Sequence, residues 1–407
     1  MSRRIVIVGG GPAGVGAAMA ARQQDPDAEV TLLTDEPCEP YEKPPLSKAV
    51  LLGKAAPHDA PIAGPGGVAG HGVIVRHHAR VAGIDRAGRI LTLVGGEALP
   101  YDALVLATGA VNRVLPLFPP DQPGVYYLRN LDEALAIRAH LQQAKSLVLI
   151  GGGVIGLEVA ASAAELGLKT TVIELAPRIL SRMCDPETGD IIAARHRTAG
   201  VDLRLATSIT AARALPEGGI AIDLASGETI AADMAVVGVG AMPDDALARA
   251  AGLEVQDGIV VDRHCRTSDP AILAAGDATR FPGPHGPVRL ENWRHAQEQG
   301  MVAGRNAAGG ESAYDTAPSF WSEQFDLYIQ GVGWPVPEPT ARVVRTAGPA
   351  TRITFDLDGD LLRYASGINA QRDIAAARRL IERKIPVDPA ALADPAVPLA
   401  QLLKPRA

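Results

Sequence analysis

Residues 5–14 run Ile5-Val6-Ile7-Val8-Gly9-Gly10-Gly11-Pro12-Ala13-Gly14. Four aliphatic residues in a row predict a strand buried on both faces. Gly9, Gly11 and Gly14 fit G-x-G-x-x-G, and the alanine-rich stretch from Val15 to Arg22 predicts a helix. In that context the first glycine permits a tight turn. The second lets backbone approach a pyrophosphate, and the third lets helix pack closely on strand. The helix N-terminus adds free N–H groups and partial positive charge. After Val30-Thr31-Leu32-Leu33, Asp35 follows Gly14 by 21 residues, where a carboxylate can accept from ribose hydroxyls. Taken alone, the turn also fits a structural glycine bend.

The pattern then returns. Ser146 to Ile150 is an aliphatic strand, and Gly151, Gly153 and Gly156 repeat the spacing, with Leu157 to Leu166 as the helix. Glu174 ends Val172-Ile173-Glu174, 18 residues beyond Gly156. Two dinucleotide-binding units in one chain are far more specific than either copy. Tyr101 to Gly109 is a buried strand ending in the small residues Ala107-Thr108-Gly109, and Met234 to Gly240 is its counterpart in the second unit. A short apolar run at Leu273-Ala274-Ala275 ends in Gly276-Asp277.

Composition excludes several classes. A chain of 407 residues suggests two or three domains of roughly 150 residues each. The net charge of −7 argues against a nucleic-acid surface. Cys38, Cys184 and Cys265 form no C-x-x-C, which excludes a disulfide scaffold and the usual dithiol motif. No apolar run reaches ~18 residues, so no membrane span is expected. The opening Met1-Ser2-Arg3-Arg4 enters the first strand directly and does not resemble a signal peptide. The expectation is a soluble, cytoplasmic protein.

Between and beyond the repeats, Pro40, Pro44 and Pro45 make a fixed loop before Leu46-Ser47-Lys48. Ala55 to Gly72, rich in Pro, Gly and Ala, predicts a surface excursion. From Ser319, Phe320, Trp321, Phe325, Tyr328 and Trp334 cluster in a chain that is only 4% aromatic. Asp358-Gly359 between two apolar runs signals a hairpin. Asp373 to Lys384 predicts a helix with Ile374, Ala377, Leu380 and Ile381 on one face. Residues 386–407 predict a loose tail. The fold class expected is α/β, with two Rossmann-like domains and a C-terminal α+β domain.

The two glycine motifs, Ala107-Thr108-Gly109 and Gly276-Asp277 resemble the two-dinucleotide flavoprotein oxidoreductases of glutathione-reductase-like build. Pro44-Pro45-Leu46-Ser47-Lys48, Glu291-Asn292-Trp293 and the stretch from Phe320 to Leu327 narrow the likeness. Together they resemble the NADH-dependent ferredoxin reductases that serve bacterial oxygenases and haem-thiolate monooxygenases. Glu323 stands where aspartate is more usual in that family.

The resemblance implies FAD in residues 1–110 and 240–318, a nicotinamide domain at 111–239, and a C-terminal domain at 319–407 over the flavin. Gly9, Gly11, Ala13, Gly14 and Asp35 would hold the adenine half of FAD. Lys48, Val81, Arg129 and Asp277 match its other contacts, with Ala107, Thr108 and Gly109 against it and Trp293 beside the isoalloxazine. Gly151, Gly153, Ile155, Gly156, Glu158, Glu174 and Gly240 match the NADH-binding positions. Lys48 and Glu158 are the implied catalytic pair. The implied partner is a [2Fe–2S] ferredoxin and, through it, a terminal oxygenase. A monomer or weak homodimer fits, with no metal, nucleic acid or membrane. Rubredoxin and monodehydroascorbate reductases share this build, and a flavin-bound redox sensor is a different class of reading.

Each residue also has a plainer explanation. Lys48 can be a surface lysine closing a loop, Glu158 a helix residue at a favourable end, and Glu174 a solvated strand-end carboxylate. Arg129 can be structural, Asp277 can merely end a strand, and Trp293 and Trp321 can be core aromatics. A carboxylate at Glu174 repels the 2′-phosphate of NADPH, although Arg178 and Arg182 lie close enough in sequence to blunt that repulsion. Cys38 lies outside the pattern of the redox cysteine in peroxide-reducing relatives and reads as an inert thiol. Cys184 and Cys265 read as packing residues, and His77-His78 as a solvated strand end. Ferredoxins of this kind are generally acidic, so Arg372, Arg378, Arg379, Arg383 and Lys384 form a candidate docking patch. A merely solvated helix face explains them as well.

Overall fold

The strand Arg4–Val8 lies at the centre of a five-stranded parallel sheet in a computed structural model that describes residues 2–56, 61–181, 183–348 and 351–403. In order across the sheet come Ile272–Ala274, Ala103–Leu106, Arg4–Val8, Glu29–Leu33 and Ile74–Arg76. Ile7 pairs in register with Leu32 on one side and Val105 on the other. The unbroken aliphatic run reflects this: a central parallel strand has no solvent face. Chain contacts divide the protein into two units, and this sheet belongs to the one made of Met1–Lys43, Ala56–Val111 and Ala241–Thr316.

Two helices of that unit meet through small residues. The helix Pro12–Gln24 begins with proline, whose missing N–H is no loss at a first turn. The helix Trp293–Ala307 is capped by the Asn292 side chain, which accepts from the His295 amide at 2.9 Å. A Cβ at Gly300 would sit 2.1 Å from the Ala13 carbonyl oxygen, and one at Gly304 2.0 Å from that of Ala17. Glycine at both positions lets the backbones touch. Val68 is fully buried, so part of the expected excursion at Ala55–Gly72 is pinned to the core, while residues 57–60 lie outside the described residues.

The second unit comprises Pro44–Ala55, Asn112–Gly240 and Ala317–Ala407. Its parallel sheet runs Asp202–Arg204, Lys169–Ile173, Ser146–Ile150, Met234–Val237, Val125–Tyr127, repeating the central-strand logic of the first. Its antiparallel sheet runs Ser319–Gln324, Leu327–Gly333, Leu361–Ile368, Arg352–Asp358, Ala341–Thr346. The Asp358-Gly359 turn joins two of these strands, with Gly359 at φ +63°. The helix Gln371–Glu382 covers the sheet with Ile374, Ala377 and Leu380, over Ile353, Phe355 and Leu362. Burying a side chain such as Phe355 stabilises the fold by about 1.5–3 kcal/mol.

The tail expected to be loose is not, as far as residue 403. Leu392 and Leu399 join the core of the antiparallel sheet. The buried guanidinium of Arg345 donates to the carbonyls of Ala391, Leu392, Asp394 and Val397, at 2.5–3.2 Å. Proline and alanine suggested disorder, but one arginine with five N–H donors organises the segment's backbone.

Candidate functional site

The two glycine turns have the same geometry. Gly9 has φ +118°, and a Cβ on it would lie 2.1 Å from the Ala107 oxygen. A Cβ on Gly14 would lie 1.8 Å from the Gly9 oxygen. In the second turn Gly151 has φ +106° and its Cβ would lie 2.5 Å from the Gly238 oxygen; that of Gly156 would lie 2.4 Å from the Gly151 oxygen. The first and third glycines are therefore required by the protein's own packing. The middle ones are not. A Cβ on Gly11 would meet no heavy atom within 4 Å, and one on Gly153 would meet only the Gly238 oxygen, at 4.0 Å.

That open side faces unsatisfied donors. Gly11 and Gly153 are the N-caps of Pro12–Gln24 and Val154–Glu165, and neither helix has a side-chain cap among the described residues. The helices starting after Asn130 and Asp185 do have one. A helix start with free N–H groups and room beside a glycine fits a phosphate. Both turns thus fit a dinucleotide on the structure's own evidence.

Further candidates lie in the same unit as the first turn. Asp35 follows Glu29–Leu33 and is exposed; Ala13 is in the first turn of its helix. The Thr108 hydroxyl donates to the Asp244 carbonyl at 2.5 Å, and the Asp244 amide to the Gly109 carbonyl at 2.9 Å, which fixes Ala107-Thr108-Gly109. Asp277 sits half-buried in the turn Gly276–Ala278, held near by Gly276, where a Cβ would lie 2.8 Å from that of Ala13. Val81 opens the strand Val81–Asp85, and Trp293 is half-buried at the start of its helix. Burial raises the nearby Glu42 carboxyl, and its hydrogen bond with Trp293 opposes that rise.

Around the second turn, Glu174 accepts from the Gly152 amide at 2.5 Å and the Ala176 amide at 2.7 Å. The carboxylate is thereby fixed beside the glycine turn and keeps lone pairs for another donor. Arg178 is half-buried; Arg182 lies outside the described residues. Ile155 is 45% exposed and Leu175, which was not singled out from sequence, is 72% exposed. Gly240 is exposed with φ +104°. Arg129 precedes the helix Leu131–Leu141, its amide donating to Glu133 Oε2 at 2.5 Å.

Glu158 accepts from three side chains within the second unit. It is buried in the first turns of Val154–Glu165. Its Oε2 accepts from Lys48 Nζ at 2.9 Å and from the Ser47 hydroxyl. Its Oε1 accepts from the Ser322 hydroxyl at 2.8 Å. The Ser162 hydroxyl donates to the Ser47 carbonyl at 2.9 Å, so the same helix holds the Pro44–Ser47 turn twice. The structure thus brings Lys48 and Glu158 together and adds Ser47 and Ser322, which sequence reasoning missed. Alternation in Phe320-Trp321-Ser322-Glu323-Gln324 was the available signal: Ser322 and Gln324 are buried while Glu323 is exposed.

Burial raises the Cys184 thiol to about 12 and the Cys265 thiol further, so neither is poised to react. Arg378 is no free surface cation, being paired with Glu382 one turn on, whereas Arg372, Arg379, Arg383 and Lys384 are exposed.

Residues 3–300 match the pyridine nucleotide-disulphide oxidoreductase model, and residues 319–403 match a reductase C-terminal domain. The chain belongs to the pyridine nucleotide-disulphide oxidoreductase family. Within it, this reductase is 40% identical to the ferredoxin–NAD(+) reductase component of the anthranilate 1,2-dioxygenase system of Burkholderia cepacia, over 98% of both chains. It is 34% identical to putidaredoxin reductase of Pseudomonas putida, over 98% of this chain and 96% of that one. The crystal structure of the covalent putidaredoxin reductase–putidaredoxin complex superposes with a TM-score of 0.92 at 34% identity, covering 98% of each chain. The ferredoxin reductase for the CYP199A2 system of Rhodopseudomonas palustris superposes at 0.93 with 33% identity, covering 99% of this chain and 100% of that one. Among the described residues, no helix is long and apolar enough to cross a membrane.

Proposed function

We propose that this reductase takes hydride from NADH onto FAD and passes electrons one at a time to a [2Fe–2S] ferredoxin that supplies a monooxygenase or dioxygenase. The observation that carries it is the pair of open glycine turns, one on each parallel sheet, in a chain matched over 98% of its length by a ferredoxin–NAD(+) reductase component. The Pseudomonas putida rubredoxin–NAD(+) reductase match covers 81% of this chain. That difference favours a ferredoxin over a rubredoxin as the acceptor.

When bound, FAD supplies the conversion of one two-electron transfer into two single ones. The protein's residues bind and orient. We assign FAD to 1–110 and 240–318, NADH to 111–239, and the reductase C-terminal domain to 319–407; Pro44–Ala55 packs with the second unit. Gly9, Gly11, Ala13, Gly14 and Asp35 take the adenine half of FAD, with Val81, Arg129, Asp277 and Trp293 on the rest. Gly151, Gly153, Ile155, Gly156 and Gly240 take NADH, and Glu174 takes its ribose while disfavouring a 2′-phosphate. Lys48 holds a positive charge for the reduced cofactor, and Glu158 orients its ammonium. An acidic ferredoxin docks on the exposed basic face of Gln371–Glu382 and the residues just after it. The protein works in the cytoplasm, which its three free cysteines support.

The deciding experiment reconstitutes the chain with FAD and adds NADH under argon, then ferredoxin and cytochrome c. Bleaching of the flavin followed by ferredoxin-dependent cytochrome reduction is expected. A chain that takes up no FAD, or that bleaches but passes nothing to any ferredoxin, overturns the assignment.

A further inference from the structure

Beyond Glu158, three buried polar side chains have no task in the reaction as described. Gln324 and His196 are 0% exposed and Ser322 is 1% exposed. They come from the strand Ser319–Gln324 and the helix Pro186–Thr198, and they touch in sequence. His196 Nε2 lies 2.9 Å from Gln324 Oε1, Gln324 Nε2 donates to Ser322 Oγ at 3.0 Å, and Ser322 Oγ donates to Glu158 Oε1 at 2.8 Å.

The direction of this chain follows from donor chemistry. An amide nitrogen only donates, so Ser322 Oγ accepts from Gln324 and its own hydrogen is free for Glu158. Gln324 Oε1 only accepts, so His196 Nε2 must carry hydrogen. His196 Nδ1 is buried with no hydrogen-bond partner among the described residues, as suits a bare lone pair better than an N–H. Burial, opposed by the Gln324 hydrogen bond, holds His196 below its ordinary value, which keeps the ring neutral. Phe325 packs in a T-shaped arrangement with the imidazole, at 5.0 Å between ring centroids. Arg195 lies over the Phe325 ring, 4.3 Å from its centroid, and pairs with Asp326.

Every donor in the row therefore points toward one carboxylate, and aligned bonds of this kind polarise one another. We infer that Ser322, Gln324 and His196 are positioning residues that lock the Glu158 carboxylate, leaving Oε2 for Lys48 and Ser47. The inference rests on the proposed role of the Lys48–Glu158 pair. An apolar packing role needs none of these polar atoms, and each buried one left unpaired is costly.

The test uses the full FAD-loaded chain and two readouts. One is the limiting rate of flavin reduction by NADH without oxygen. The other is competitive acetylation of Lys48 against the exposed Lys54 by acetic anhydride, read by mass spectrometry. Ser322→Ala is expected to slow reduction ~10-fold with NADH affinity within about twofold, and to raise relative Lys48 labelling ~3-fold, as loss of a hydrogen bond to a charged group implies. Ser322→Thr, which keeps the hydroxyl, restores both. In a Glu158→Ala background Ser322→Ala adds nothing. If Ser322→Ala does not fold, judged by FAD content and melting temperature, Gln324→Met is measured instead, with the same expectations at smaller size. Wild-type reduction and labelling in the folded variant, or an undiminished effect without Glu158, overturns the inference. Glu158→Ala reducing at the wild-type rate overturns it too and also removes the pair from the reaction; a slow Glu158→Ala beside a normal Ser322→Ala leaves that role standing.

Discussion

Lys48 Nζ donates to Glu158 Oε2 at 2.9 Å across 110 residues of sequence. The lysine comes from a proline-fixed turn and the glutamate from the helix that opens on the second glycine motif. Both are well shielded, so solvent and salt screen their attraction less than that of a surface pair. Replacing one partner leaves the other's charge uncompensated.

Lys48→Met is accordingly expected to slow flavin reduction by NADH ~100-fold, the scale for losing one electrostatic donor at a reacting centre. NADH affinity should change little. Rapid anaerobic mixing measures both, and a wild-type reduction rate removes Lys48 from the mechanism.

Glu174 is bound to the glycine turn through the amides of Gly152 and Ala176. Glu174→Gln removes the charge but keeps one acceptor. Relative kcat/KM for NADPH over NADH should rise ~10-fold, since the like-charge penalty on a 2′-phosphate is what discriminates. If the wild-type enzyme already prefers NADPH, this account of Glu174 fails.

His295 is buried against Phe281, accepts or donates to the Tyr314 hydroxyl at 2.8 Å, and is lowered by burial to about 3. Its unfolded value is ~6.5. Above ~pH 6.5 both states are neutral and its contribution is complete. As pH falls from there toward 3, the unfolded chain binds a proton that the folded one refuses, and stability drops. Urea unfolding at pH 7.5 and pH 5 should show this loss, and His295→Gln should shrink it. Equal pH dependence in both proteins contradicts the assignment.

Arg345→Met strips donors from four carbonyls of the C-terminal segment. The bond to the Leu392 carbonyl is buried and the other three are part-buried, so a loss of about 3 kcal/mol, the upper end for one unsatisfied buried group, is expected, with earlier proteolysis after residue 386. Unchanged melting and proteolysis would return the segment to a loose tail.

Arg372→Glu with Arg379→Glu should weaken ferredoxin-dependent cytochrome reduction ~10-fold at low salt and flatten its salt dependence, while flavin reduction by NADH stays normal. Arg378 is left in place because it is held by Glu382. Ferredoxin transfer insensitive to both salt and the double substitution excludes this face.

Much of the fold follows from local pattern alone. Ile5–Val8 and Leu147–Ile150 are unbroken aliphatic runs that read as strands buried on both faces, and Gly9, Gly14, Gly151 and Gly156 mark where backbone must meet backbone. The strand runs and the glycine spacing are each complete within about ten residues, and Gly14 meets Gly9 as Gly156 meets Gly151, which is why local pattern carried them; that Gly9 lies against Ala107 and Gly151 against Gly238 is tertiary. What only the tertiary structure decided lies far apart in sequence. Ser322 reaches Glu158 over 164 residues and His196 reaches Gln324 over 128. Alternation says that Ser322 and Gln324 face inward, yet not which helix they face. Likewise nothing in the proline- and alanine-rich tail foretells that Arg345 will gather its carbonyls. Period and spacing are properties of a short segment, whereas the partner of a buried polar atom is set by how whole elements pack.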